Sequence, residues 1–356
     1  MQQQQLEVST LYGAKLHRAA PLALLGVCLT IGITGAWLLA SANGDPLNIF
    51  GAGIVTAVLY LSAIFTVSLA TEGRRQAVNR LMTGLVACSF LLAVAPLISV
   101  GTEVIKLGSA RFDLEFLTTS MRNIIGSGGG ALHALVGTLL ITLAATLMAV
   151  PLGLMTAIYL VEYGRGRLAK TITFLVDVMI GIPSIVAGLF AFALFALLFG
   201  PGVRLGISSA VSLAVLMAPV VIKSSEEMLR LVPKELREAS YALGVTKWLT
   251  IVKIVLPTAI TGITTGIMLA IARIIGETAP LIITAGTTAS LNPNLFHGRM
   301  QTIPVFVFTQ YTNQGNPASA FIDRAWAGAL TLIIIVMLLN LLARVISKRF
   351  APHGQK

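Results

Sequence analysis

The sequence predicts an all-α integral membrane protein, a polytopic helical bundle of about eight transmembrane helices. Composition is the first reason. Of 356 residues, 56% are hydrophobic and only 11% are charged, against about 25% charged in soluble domains. The mean hydropathy of +0.88 agrees. Segment length is the second. A bilayer core needs about 20 apolar residues per helix, and such stretches recur at roughly 20–42, 49–71, 81–104, 132–160, 172–199, 208–222, 257–286 and 325–346. The sixth is short and needs a tilt or an extension beyond the membrane.

Charge placement is the third reason. The net charge is +11, but the cations sit in short loops beside apolar runs, with no basic stripe interleaved with aromatics, so nucleic acid is excluded as a partner. Of the 25 Lys and Arg residues, 18 fall on the side holding both termini. They include Lys15, Arg18, Arg74, Arg75, Arg80, Lys348, Arg349, Lys356 and six in 223–253. Six (Lys106, Arg111, Arg122, Arg204, Arg299 and Arg324) fall on the other side, and Arg273 lies inside a span. The positive-inside rule then makes both termini cytoplasmic.

Cys28 and Cys88 lie within expected spans, which argues against a disulfide or a metal site. A polar start followed by a long span reads as a retained first helix, not a cleaved leader. Val27 before Cys28 fits a lipidation site poorly.

Two regions are expected. Residues 1–80 form a cytoplasmic tail and a two-helix hairpin closed by the basic loop "EGRRQAVNR". Residues 81–350 form the main bundle, with a polar cytoplasmic loop at 223–256. Two longer segments face outside. One, 105–131, ends near "GSGGG"; the other, 287–324, holds Pro293, Pro304 and Pro317. Within the latter, "TIPVFVFTQY" is apolar but too short to span, so it lies at the interface or re-enters the membrane. His133 and His297 are expected at or beyond the outer face, solvated and without a role. Glu162, in "VEYG", is expected at the cytoplasmic interface.

The loop at 223–256 is the most informative stretch. Ser224 and Glu227 form a capping-box pattern, and Pro233 opens a second helical turn. Leu236, Ala239, Ala242 and Leu243 share one small apolar face, with Glu235, Arg237 and Glu238 around the other side. Gly244 ends that helix, and Thr246 is placed to cap another running through Trp248, Ile251 and Ile254 to Pro257. By residue chemistry alone, an amphipathic helix on the membrane surface explains this pattern as well as a docking element does.

Spacing adds a resemblance. Glu238-Ala239-Ser240, three residues, Gly244, nine residues, then Ile254-Val255-Leu256-Pro257 resembles the EAA loop of ABC importer permeases, with Ser240 in place of the second Ala. Further stretches resemble phosphate importer permeases of the PstA type over about residues 85–350. These are 128–164, "DVMIGIPSIVAGLFAF" (177–192), 218–244 and "IARIIGETAPLIITAG" (271–286).

The resemblance implies a six-helix permease core, with the first two spans peripheral to it, in the inner (plasma) membrane of a bacterium. It implies that Glu238, Ala239, Ser240, Gly244, Leu256 and Pro257 couple the chain to a dimer of nucleotide-binding ATPase subunits. ATP and Mg would be held by that partner. The sequence contains no G-x-x-x-x-G-K-[ST] loop of its own, so no cofactor is expected on this chain and it is not expected to be an enzyme. The further implied partners are a second related permease, an extracytoplasmic phosphate-binding protein and membrane lipid.

Arg273 and Glu277 stand four apart in the seventh expected span, on one helix face if that helix is unbroken. Central charges cost about 2.5–3.5 kcal/mol each on insertion scales, so the pair either forms a structural ion pair or lines a pathway, with guanidinium donors facing an oxyanion. The resemblance favours the pathway. Asp177 is expected to begin the fifth span, as a helix cap or as a structural or gating residue, and Pro183 to let that span bend. Gly262 and Gly266 form a GxxxG pattern suited to close helix crossing. The competing expectations are a permease for another oxyanion, a proton-coupled secondary transporter built on Glu277 and Arg273, and a membrane subunit without a pathway. A secondary transporter would more often show inverted repeats, which are not detected, and a pathway-free subunit leaves Arg273 unexplained.

Overall fold

The computed structural model describes residues 16–17, 19–44 and 49–350. Lys15, Arg18 and Lys356, counted above as cytoplasmic cations, lie outside them. Among the described residues every regular element is helical. This follows from the solvent: hydrocarbon offers no hydrogen bonds, so the backbone must satisfy itself within each segment. The chain divides into two compact units, Met1–Gly101 and Thr102–Lys356.

The first unit contains α1 (Ala20–Asn43), α2 (Ile49–Thr71) and most of α3 (Arg74–Gly108). Small residues set the approach of these helices. Gly32 on α1 lies directly against Thr56 on α2, and a Cβ at Gly84 on α3 would come within 2.7 Å of Leu61. The basic "EGRRQAVNR" stretch is mostly helix, because α3 already starts at Arg74. Glu72 is the hub of the short connection. It accepts hydrogen bonds from the Leu16 amide at 2.8 Å, from Ser68 at 2.8 Å and from Arg80 Nε at 2.6 Å. The Arg80 guanidinium holds the Glu72 carboxyl down at about 2, so the pair stays charged at physiological pH.

The second unit continues through the short α4 (Leu114–Thr118), capped by Asp113 accepting from the Phe116 amide at 2.7 Å. Its spine is α5 (Leu132–Ile158) against α8 (Gly206–Arg230). Ile141, Ala145 and Ala149 repeat every fourth residue on α5 and meet Leu213, Met217 and Val221 of α8. Small residues allow this close approach, since van der Waals packing drives helix association in lipid. Ser224 and Glu227 lie inside α8 and do not cap a new helix; Ser224 donates back to the Val221 carbonyl at 3.3 Å. Thus α8 supplies the extension that the short sixth stretch required.

The expected fifth span is broken. In its place are α6 (Gly166–Ile180) and α7 (Ser184–Phe199), bent by 107° at Gly181-Ile182-Pro183. Pro183 cannot donate to a helical ladder and disfavours helix in the residue before it. Among the described residues, counting this bent pair as one span gives 8 candidate spans; counting only single helices gives 7.

The seventh span starts earlier and ends earlier than expected. It runs from Lys247 to Ile275, through α10 (Lys247–Thr250), a widened π-turn (Ile251–Val255) and α11 (Leu256–Ile275). Pro257 lacks an amide hydrogen and its ring crowds the carbonyl four residues back; the π-turn just before it accommodates both without breaking the helix. The GxxxG face of α11 packs on α8. A Cβ at Gly266 would meet Ser224 Oγ at 2.5 Å, and Gly262 lies against Met228. Beyond α11 comes the six-residue α12 (Ala279–Thr284).

The apolar "TIPVFVFTQY" becomes α13 (Ile303–Thr312), with Ile303, Pro304, Val305 and Phe306 buried. The Ile303 amide donates to Thr138 Oγ1 at 2.8 Å. Next to it His133 is buried, not solvated: its Nε2 lies 3.2 Å from Gln301 Oε1, and its ring meets Phe306 edge-on. His297 is exposed, as expected. The last helix, α14 (Ala318–Phe350), packs on α13 and α11.

The α8–α11 crossing yields a prediction. Gly266→Leu should destabilise the protein by about 1–3 kcal/mol through overpacking against Ser224. Gly262→Leu should cost less, because the Met228 side chain can move aside. Thermal unfolding of the purified protein reads both.

Candidate coupling elbow and substrate pathway

The 223–256 region forms an elbow between two transmembrane helices. Its first arm is α9 (Lys234–Ala242), entered through Pro233, and its second is α10. The corner is a Schellman motif: the Gly244 amide donates to the Tyr241 carbonyl at 2.9 Å and the Val245 amide to the Ser240 carbonyl at 3.2 Å. It requires a left-handed residue, and Gly244 has φ of +75°. Thr246 occupies the N-cap position of α10, although its side chain makes no capping bond. The second arm runs through the π-turn at Ile251–Val255 into α11 as one span, Lys247–Ile275, in which Leu256 and Pro257 follow the π-turn.

Ser240 does more than keep the corner small. It is 3% exposed, and its hydroxyl lies 2.8 Å from that of Thr250, itself fully buried. This bond ties the two arms together. Arg237 also departs from the expected face. It turns inward: its Nε donates to Glu162 Oε1 at 2.9 Å, Nη1 to the Val232 carbonyl at 2.6 Å and Nη2 to the Leu229 carbonyl at 3.0 Å. These carbonyls lie at the end of α8, where helical acceptors are orphaned. The outward face is apolar and uncovered in the single chain, with Leu243 83% and Trp248 61% exposed. Glu238 and Ala239 are exposed beside it. A cleft of about 440 Å³ adjoins α9, lined by residues including Glu162, Lys234, Arg237 and Tyr241.

The charged residues of the expected pathway are placed differently from one another. Arg273 lies in the last turn of α11 and is exposed in the single chain; Glu277 lies beyond the helix end. Helical spacing therefore does not put them on one face, because the helix stops at Ile275. Among the described residues no ion pair joins Arg273 to Glu277. Arg273 is well placed against the negative end of the α11 dipole.

The two broken regions meet. A Cβ at Gly188, on α7, would come within 2.6 Å of Pro280 Cα, on α12. "PSIVAG" and "ETAPL", nearly a hundred residues apart, thus share one contact. Asp177 does not start a helix. It sits in the last turns of α6 and pairs with Lys223 of α8 at 2.8 Å. Pro183 is the N-cap of α7, at the bend.

Comparison with known proteins gives this geometry its context. The profile of binding-protein-dependent transport system inner membrane components matches residues 149–353. The phosphate transport system permease protein PstA 1 of Mycobacterium tuberculosis is 48% identical over 276 residues, covering 77% of this chain and 90% of that relative. The chain belongs to this permease family, in its PstA group. The Yersinia pestis PstA permease is 39% identical over 274 residues, with the same coverage. The permease also shares its fold with a bacterial alginate ABC transporter solved in complex with an alginate-bound periplasmic protein. That match has a TM-score of 0.55 at 13% identity, covering 79% of this chain and 98% of the other.

Sequence reading did not find Thr250, Lys247 or the inward role of Arg237. Their partners are set by tertiary folding, and no local pattern marks them. The permease should lose about 1 kcal/mol of stability on Ser240→Ala, which leaves Thr250 with one buried partner fewer, and about as much on Gly244→Ala, which meets a left-handed backbone. Thermal unfolding in detergent measures both.

Proposed function

We propose that this chain is the membrane permease subunit of an ATP-driven phosphate importer. The observation that carries the reading is 48% identity across 90% of a phosphate transport permease, joined to a chain that holds a coupling elbow but no nucleotide-binding loop. In this reading both termini and the elbow face the cytoplasm, as the 18 Lys and Arg residues on that side favour.

The elbow docks on a dimer of ATPase subunits, which hold ATP and Mg. Glu238, Ala239 and Gly244 meet the ATPase surface, Ser240 holds the corner from inside through Thr250, and Leu256 and Pro257 carry the motion into α11. Their exposed apolar neighbours Leu243 and Trp248 are covered on docking. On the other side an extracytoplasmic binding protein delivers phosphate. The route runs between this chain and a second related permease, with Arg273 at the shared face presenting donors to the oxyanion and Glu277 tuning the charge there. Asp177 and Pro183 are structural: one anchors α6 to α8, the other sets the bend. The two spans of the hairpin within residues 1–80 carry no charged side chain and so supply no donor to the pathway.

Labelled-phosphate uptake at low external phosphate tests the class and substrate together. Deleting the chain should abolish an uptake that excess sulfate does not inhibit; sulfate inhibition would move the assignment to another oxyanion. Arg273→Gln should abolish uptake while the complex still assembles. Wild-type uptake by that variant would remove Arg273 from the pathway. Gly244→Trp should weaken retention of the ATPase subunit during purification by on the order of tenfold or more. The space around Gly244 is open, but its left-handed backbone strains any side chain, so thermal unfolding of the variant separates a disrupted corner from a blocked docking surface.

A further inference from the structure

Both arms of the elbow converge on a single residue outside it. Glu162 lies in a π-turn (Tyr159–Tyr163) that ends α5. Its side chain is 5% exposed, and the Arg237 side chain that pairs with it is 15% exposed. Arg237 comes from the first arm. From the second arm, Lys247 donates its Nζ to the backbone carbonyl of Glu162 and stands 4.4 Å from the centre of the Tyr163 ring. So α9 holds the carboxylate and α10 holds the carbonyl of the same residue.

The site below this convergence is apolar. Ala157 and Ile158 of α5, Leu229 and Val232 at the end of α8, and Ile251 and Val255 of the second π-turn form one buried cluster. Apolar contact is non-directional, and it would let the elbow rotate on this cluster. The guanidinium–carboxylate bond is directional. It sits where solvent competes little, which makes removing one partner costly. Arg237 also uses its other edge on the α8 carbonyls, so the elbow, α5 and α8 meet at one planar group.

We propose that Glu162 is a positioning residue that latches both arms of the elbow to α5, so that displacement of the elbow moves α5 as well as α11. The proposal rests on the elbow being the ATPase-coupled element. Without the Glu162–Arg237 pair, the ATPase would still dock and turn over, but the first arm would pass its motion to α8 and α11 and no longer directly to α5.

The test uses the complete transporter in proteoliposomes, with phosphate uptake and ATP hydrolysis measured on the same preparation. Glu162→Gln keeps the shape and removes the charge. The expected result is normal assembly, ATP hydrolysis within about twofold of wild type, and phosphate transported per ATP reduced about tenfold. Glu162→Asp, which restores the charge on a shorter stem, should recover part of that ratio. Wild-type phosphate per ATP in Glu162→Gln would overturn the latch. Failure of both variants to assemble would also overturn it, since Glu162 would then serve stability and not transmission. Gly244→Trp in parallel separates the two ideas: undiminished ATPase retention there sinks the elbow reading itself, whatever Glu162 does.

Discussion

Backbone hydrogen bonding in lipid is the constraint on which this structure depends. Helices satisfy it within themselves; every interruption must be satisfied by surrounding protein. Four interruptions in the second unit lie at or beside the elbow and the expected pathway. The bend at Gly181–Pro183 and the break at Gly276–Thr278 lead into helices that pack on one another through Gly188 and Pro280. The π-turns at Tyr159–Tyr163 and Ile251–Val255 share one buried apolar cluster. These four interruptions are thus gathered at two places, one at the Gly188–Pro280 contact and one under the elbow. Interruptions of this kind are where a helical membrane protein can carry function, because only there does the backbone leave its standard pairing.

The elbow combines rigidity and exposure. Its corner is fixed by a Schellman motif, by the Ser240–Thr250 bond and by the Glu162–Arg237 pair. Its outer face carries exposed Leu243 and Trp248. A soluble amphipathic helix would bury its apolar side and leave its arginine in water; here Arg237 is inside. That inversion suits an element held firmly by its own chain and completed by another. Ser240, which stands where the EAA pattern has its second Ala, is buried, and its hydroxyl finds Thr250.

Much of the fold was legible. Lengths of apolar runs located the spans because a bilayer sets a minimum length, and the Gly244 corner was legible because only glycine enters a left-handed C-cap without strain. Hydropathy is a sum over a window and carries no angle, so it ran through Gly181-Ile182-Pro183 and through Gly276, where the chain turns. For the same reason Arg273 and Glu277 looked like helix neighbours. His133 was misplaced because its burial depends on Gln301 and Phe306, which reach it from a distant segment.

The sequence by itself determined the solvent, the membrane-spanning helical class, the family and the position of the elbow, since each is written in local composition or spacing. Tertiary structure alone decided what holds the elbow. Arg237 and Lys247 reach Glu162 across 75 and 85 residues of chain, and Gly188 reaches Pro280 across a comparable gap. Such contacts depend on how helices cross, and crossing is set by many small packing terms at once, among them Gly266 on Ser224 and Gly153 on Val221. No short stretch of sequence contains that sum.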